Sequence, residues 1–76
     1  MTTIKVPVDL NQRLRLDAFL KIIGIAPTGG IAKQMVIQGD VKVNGDVETR
    51  RGRQLRGGDR VSVEGIDDVF QVQEED

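Results

Sequence analysis

Cysteine and histidine are both missing from the 76-residue chain. Without cysteine, neither a disulfide nor a thiolate metal site can form. Without histidine, the commonest metal ligand and the commonest general base are gone. Tryptophan and tyrosine are absent too, and phenylalanine occurs only as Phe19 and Phe70. Phe19 falls on an apolar helical stripe and Phe70 in a strand pattern, so both are expected in the core. That leaves no exposed aromatic on which an unpaired base could stack, a contact worth roughly 1–3 kcal/mol per base. No apolar run approaches the length of a membrane span, and the first residues lack the apolar segment of a secretory signal. The expectation is a cytoplasmic protein that does not enter a membrane.

A chain of this size buries roughly 60 per cent of its unfolded surface. We expect one small domain over residues 1–76, monomeric, with no space for a separate catalytic domain. With histidine and cysteine missing as well, the expected protein is not an enzyme and carries no cofactor and no metal.

What the chain does have is arginine in one place. Arg50, Arg51, Arg53, Arg56 and Arg60 fall within eleven residues, although the net charge is −1. Residues 1–60 hold all eleven basic side chains against six acidic ones; residues 61–76 hold six acidic side chains and no basic one. A basic body and an acidic C-terminal segment are therefore hidden in a nearly neutral sum. Arginine presents a rigid planar fork that matches phosphate oxygens, whereas lysine is the usual choice for solubility alone. Gly52, Gly57 and Gly58 interrupt the run and let backbone approach a ligand.

The periodicities describe a small α+β domain. Ile4, Val6 and Val8 alternate with polar residues as a strand, and Pro7 places it at an edge. Leu16, Phe19, Leu20 and Ile23 form one helical stripe, with Asp17 in the first turn and Gly24 as the stop. Lys21 lies one turn after Asp17, positioned for an ion pair with it. Thr28 is placed to cap a second helix running to about Gln38 and closed by Gly39. Its expected apolar face is Ile31, Ala32, Met35 and Val36, with Ile37 off the stripe. Val41 and Val43 lead into Asn44-Gly45, the strongest short hairpin signal, and Val47 resumes the alternation. Val61 and Val63 and then Val69 to Val72 form the last strands, with residues 73–76 expected as a flexible acidic tail. The fold class is α+β: two short helices on a small, mainly antiparallel sheet of four to five strands.

The stretch from Arg15-Leu16-Asp17 through Gly39-Asp40-Val41-Lys42-Val43-Asn44-Gly45 resembles the RNA-binding domain of ribosomal protein S-four, the alpha-L motif. Gly58-Asp59-x-Val61-x-Val63 resembles that family's last strand, so the likeness covers about residues 13–65. Thr28-Gly29-Gly30-Ile31-Ala32-Lys33 and Arg50-Arg51-Gly52-Arg53-Gln54-Leu55 are similar to a small stand-alone bacterial subfamily. The general family commonly has arginine after the Ser/Thr, where this chain has Gly29. The resemblance implies a partner of structured RNA, ribosomal RNA or the ribosome, recognised through the two helices and the adjacent loop.

The candidate RNA-binding residues are Arg15, Thr28, Gly29, Gly30, Lys33, Arg50, Arg51, Arg53 and Arg56. At Thr28-Gly29-Gly30, free helix amides lie at a positive dipole end with no bulky side chain in the way. Arg60 is set apart, as a residue positioned to pair with a strand carboxylate. Asp67-Asp68 and Glu74-Glu75-Asp76 form no convergent site and read as a polar turn and a solubilising tail. Two other readings stand beside RNA binding. Val41 to Gly45 with Leu55, Gly58, Asp59 and Val61 also looks like a small ubiquitin-like sulphur carrier, although the chain ends in acidic residues where those proteins have Gly-Gly. A protein-interaction adaptor, its arginines meeting an acidic protein, is the third.

Overall fold

The computed structural model describes residues 2–9, 11 and 13–74. Among these residues nine short elements follow one another: β1 (Thr3–Val8), β2 (Leu14–Arg15), α1 (Leu16–Ile22), α2 (Gly29–Ile37), β3 (Val41–Val43), β4 (Asp46–Val47), β5 (Gln54–Leu55), β6 (Arg60–Val63) and β7 (Val69–Glu74). Five of the strands form a sheet in the order β1-β7-β6-β3-β4, and β2 pairs with β5 separately. The main sheet is antiparallel except where β1 runs parallel to β7. This is the α+β arrangement read from the sequence.

Local chemistry explains each helix boundary. Thr28 sits in extended backbone and its Oγ1 accepts the Ile31 N–H at 3.1 Å. At the other end of α2, Gly39 adopts φ +83°. There its N–H donates to the Val36 carbonyl, and the Asp40 N–H reaches back to Met35, each at 3.1 Å. That pair of bonds is a Schellman closure, which requires the left-handed backbone that glycine accepts without strain. α1 has no side-chain cap at Arg15. The hairpin between β3 and β4 turns on Asn44 at φ 54° and Gly45 at φ 89°, the two positive angles of a type I′ turn.

The alternation in the strands builds the core. Val41 and Val43, Val61 and Val63, and Phe70 and Val72 point to one face of the sheet and are buried. Leu16, Phe19 and Leu20 from α1 and Ala32 and Val36 from α2 cover them, each with no exposed surface. Leu14 and Leu55, opposite one another in the β2–β5 pair, close the same core. Pro7 lies in β1 at the sheet edge, where its missing N–H breaks no ladder.

Four local expectations change. Ile31 was expected on the buried face of α2 but is 44% exposed. It lies in the helix's first turn, and the contact with the core is made by Ala32 and Val36, with Met35 packed partly beside them. Asp17 pairs with Arg15 at 3.2 Å rather than with Lys21. Arg60 finds no carboxylate among the described residues; its Nη2 donates to Thr3 Oγ1 at 2.9 Å, across the intervening β7. Finally, β7 continues past Val72, because Gln73 and Glu74 pair with Pro7 and Val8 of β1. Residues 75 and 76 of the expected tail lie outside the described residues.

Phe19 is the largest of the side chains with no exposure, so its truncation tests this core. Phe19→Ala is expected to destabilise the fold by about 3–5 kcal/mol, seen as a lower midpoint in urea unfolding.

Candidate nucleic-acid interface

The arginine stretch is not a free loop. Residues 50–53 are stitched to the start of α1 by main-chain bonds. Leu16 N–H donates to the Arg53 carbonyl at 2.9 Å, and Asp17 N–H donates to the Arg51 carbonyl at 3.2 Å. Next to these, Arg15 pairs with Gln54 and Leu14 with Leu55 in the short antiparallel β2–β5 ladder. The first amides of a helix have no partner within it and must find one outside. Here the loop carbonyls take the place of the missing side-chain cap. Three arginines of the stretch and Arg15 are thereby brought to one place.

Side-chain pairing then divides those arginines. Glu48, two residues before the stretch, is the hub, with a side chain only 13% exposed. Its Oε2 accepts the Arg50 backbone N–H and Arg50 Nε, both at 3.1 Å, and its Oε1 accepts Arg50 Nη2 at 3.1 Å. Arg53 Nε lies 3.0 Å from the same Oε1. On its other side, Arg53 Nη1 stands 3.5 Å from Asp59 Oδ2, as an ion pair rather than an aligned hydrogen bond. Arg53 is therefore wedged between two carboxylates, its side chain 28% exposed, while Arg50 is 77% exposed. Asp59 in turn accepts from Asn44 Nδ2 and from the Arg56 N–H, which ties the β3–β4 turn to the end of the stretch. Arg51 and Arg56 are exposed, and neither side chain joins an ion pair among the described residues. The hydrogen bonds to Arg50, and secondly its charge and that of Arg53, hold the Glu48 carboxyl below the usual glutamate range.

Arg15 extends the surface onto the helix. Its guanidinium, half exposed and paired to Asp17, lies over Gly52; a methyl group there would meet Nη2 at 3.7 Å. Further along α1 the stem of Lys21 lies against Gly29, 4.0 Å from where a side chain would begin. So α1 joins the arginine loop to the start of α2. Gly29 and Gly30 are exposed there, and Thr28 Oγ1 is engaged with Ile31 N–H. Lys33 is half-buried one turn into α2.

Of the nine candidates, Arg15, Arg50, Arg51 and Arg53 meet at the start of α1, and Thr28, Gly29, Gly30 and Lys33 form a second group at the start of α2. Arg56 stands apart, beyond β5. The charge pattern of the sequence does not single out Glu48, Asn44 or Asp59 as parts of this site, although a carboxylate two residues before Arg50 is a visible local partner. Lys21 was assigned to Asp17 and instead faces α2. Among the described residues no cluster of acidic side chains could hold a metal, and no helix is long and apolar enough to cross a membrane.

The pairing at Glu48 and the cap at Thr28 each have a measurable consequence. Because the folded Glu48 carboxyl is more acidic than the unfolded one, its contribution is present above the unfolded value of about 4.3 and is lost on acidification below it. Urea midpoints measured between about pH 6 and pH 3 should fall further for the wild type than for Glu48→Gln. Thr28→Ala should cost about 1 kcal/mol through the lost cap, readable in the same assay.

A family model described as the S4 domain matches residues 9–73. A Bacillus subtilis (strain 168) protein named probable ribosome maturation protein RlbA is 37% identical over 67 residues, covering 87% of this chain and 93% of that protein. The likeness spans both helices, the hairpin and the arginine stretch, and it displaces the ubiquitin-like alternative. The chain belongs to the S4-domain family.

Proposed function

We propose that this chain is a non-catalytic RNA-binding protein that acts on the ribosome, contacting the backbone of folded ribosomal RNA. The observation that carries the reading is the seating of the arginine loop on the start of α1. It turns a local run of charge into an ordered surface at the start of α1, the helix whose Lys21 stem lies against exposed Gly29. Membership of the S4-domain family supports RNA as the partner. The name of the Bacillus subtilis relative supports the ribosome, and its maturation, as the setting.

In this reading Arg51 and Arg56, which join no ion pair among the described residues, offer their forks to phosphate, and Arg50 and Arg15 offer forks already held in place. Lys33 and the Gly29 and Gly30 amides hold a further phosphate at the positive end of α2, and Lys21 lies between the two groups. Arg53, paired with Glu48 and Asp59, braces the loop and is less exposed than Arg15 or Arg50. With no aromatic to stack on unpaired bases, recognition is of shape and backbone. The chain acts as a monomer and as a single domain.

Each neutralised phosphate releases counterions, so four or five contacts give a slope of log K against log salt of about −3 to −4. Arg50→Ala with Arg51→Ala should weaken binding to ribosomal RNA fragments at low salt and make that slope shallower by about 1.5. Fluorescence anisotropy over a salt series measures both. Absent binding at low salt, or an unchanged slope in the double variant, would count against the proposal. Nuclease treatment of a native pull-down separates it from the adaptor reading, since only an RNA-dependent association collapses.

A further inference from the structure

Two of the exposed arginines at this surface carry a carboxylate of their own. Glu48 meets the Arg50 fork with both oxygens, Oε2 to Nε and Oε1 to Nη2, each at 3.1 Å. This is the two-point geometry in which a guanidinium binds two oxygens of a phosphate. Asp17 Oδ2 accepts from Arg15 Nη2 at 3.2 Å on the neighbouring strand end. We propose that Glu48 and Asp17 are internal stand-ins for phosphate, holding the Arg50 and Arg15 forks in position and lowering the affinity of any polyanion that takes them over. The proposal rests on the RNA-binding reading above and adds a restraint on affinity to it.

The exposures separate these pairs from ordinary bracing. Arg50 is 77% exposed and Arg15 51%, whereas their carboxylates are 13% and 17% exposed. The cation can therefore turn outward while the acid stays seated. Neither carboxylate is orphaned by that exchange. Glu48 keeps the Arg50 backbone N–H at 3.1 Å and Arg53 Nε at 3.0 Å. Asp17 keeps the Ala18 N–H on Oδ1 at 2.8 Å. A carboxylate that loses its last buried partner would incur a large desolvation cost, and here that cost is avoided. Arg53 is the contrast: it is caught between Glu48 and Asp59, and its side chain is only 28% exposed.

A single stray phosphate gains little at such a site, because it exchanges one two-point partner of Arg50 for another. A ligand that presents phosphates to both forks makes that exchange twice. The stand-ins therefore lower the affinity of any polyanion once for each fork it takes over. Each exposed pair is an exchange worth about two- to fivefold in affinity.

The test uses Glu48→Gln, which keeps the shape and an acceptor for the Arg50 N–H but removes the charge. The probe is a fluorescently labelled duplex RNA of arbitrary sequence, titrated by anisotropy across a salt series, with thermal melting by circular dichroism reporting the fold. Expected are binding about two- to fivefold tighter than wild type at low salt and a salt slope steeper by up to about 0.9. The gain should disappear in Glu48→Gln with Arg50→Ala. Equal or weaker binding by a folded Glu48→Gln overturns the proposal, as does a gain that survives loss of Arg50, which would reflect net charge alone. If Glu48→Gln fails to fold, Asp17→Asn carries the same expectation for Arg15, and equal or weaker binding by that variant overturns the proposal in the same way. Should Arg50→Ala with Arg51→Ala bind as wild type does, the RNA-binding reading itself falls and takes this inference with it.

Discussion

The hydrogen bond from the Leu16 N–H to the Arg53 carbonyl, with its neighbour from Asp17 to Arg51, is the contact on which the proposed RNA-binding surface depends. α1 begins without a side-chain cap, so its first amides need acceptors from elsewhere. The arginine stretch needs an anchor, because its charges repel one another and it has little apolar surface of its own. Each meets the other's need. Leu14 and Leu55, paired across β2 and β5 and buried, protect the junction from water.

This arrangement makes charge placement a matter of backbone geometry. Within the loop the arginines are chemically identical in sequence but differ in what surrounds them. Arg53 is committed to Glu48 and Asp59, Arg50 and Arg15 are held by acids they can leave, and Arg51 and Arg56 are unencumbered among the described residues. Glu48 and Asp59 thus shape a basic surface from within, and they count with the acidic C-terminal segment among the acids that bring the net charge near zero. Surface ion pairs of this kind add little stability, which is why they are available for exchange.

Much of the fold was legible because its signals are local. The cap at Thr28, the closure at Gly39 and the turn at Asn44-Gly45 each depend on a few consecutive residues whose side chains or permitted φ angles decide the outcome. The valine alternation and the stripe through Leu16, Phe19 and Leu20 mark buried faces for the same reason. Legibility failed where packing between segments decides the outcome, and at the Arg15–Asp17 and Arg50–Glu48 pairs, where several neighbours compete for one acid. Ile31 had the right spacing for burial, but α2 meets the core through Ala32 and Val36 and leaves Ile31 exposed. The β2–β5 pair is two residues long on each side, too short to leave a periodicity.

By itself, the amino-acid sequence determined the α+β class, the helix and turn boundaries, the basic stretch and the absence of stacking aromatics, since composition and near-neighbour chemistry suffice for these. Only the tertiary structure decided which arginines are free. It brought residues 50–53 to the start of α1, turned Asp17 toward Arg15, laid Lys21 against Gly29 and set Glu48 beneath Arg50. The reason is physical: an arginine's availability depends on the acceptors within about 4 Å of its guanidinium, and although Asp17, Glu48 and Asp59 lie within a few residues of their arginines, which arginine each one takes depends on the path of the loop docked on α1.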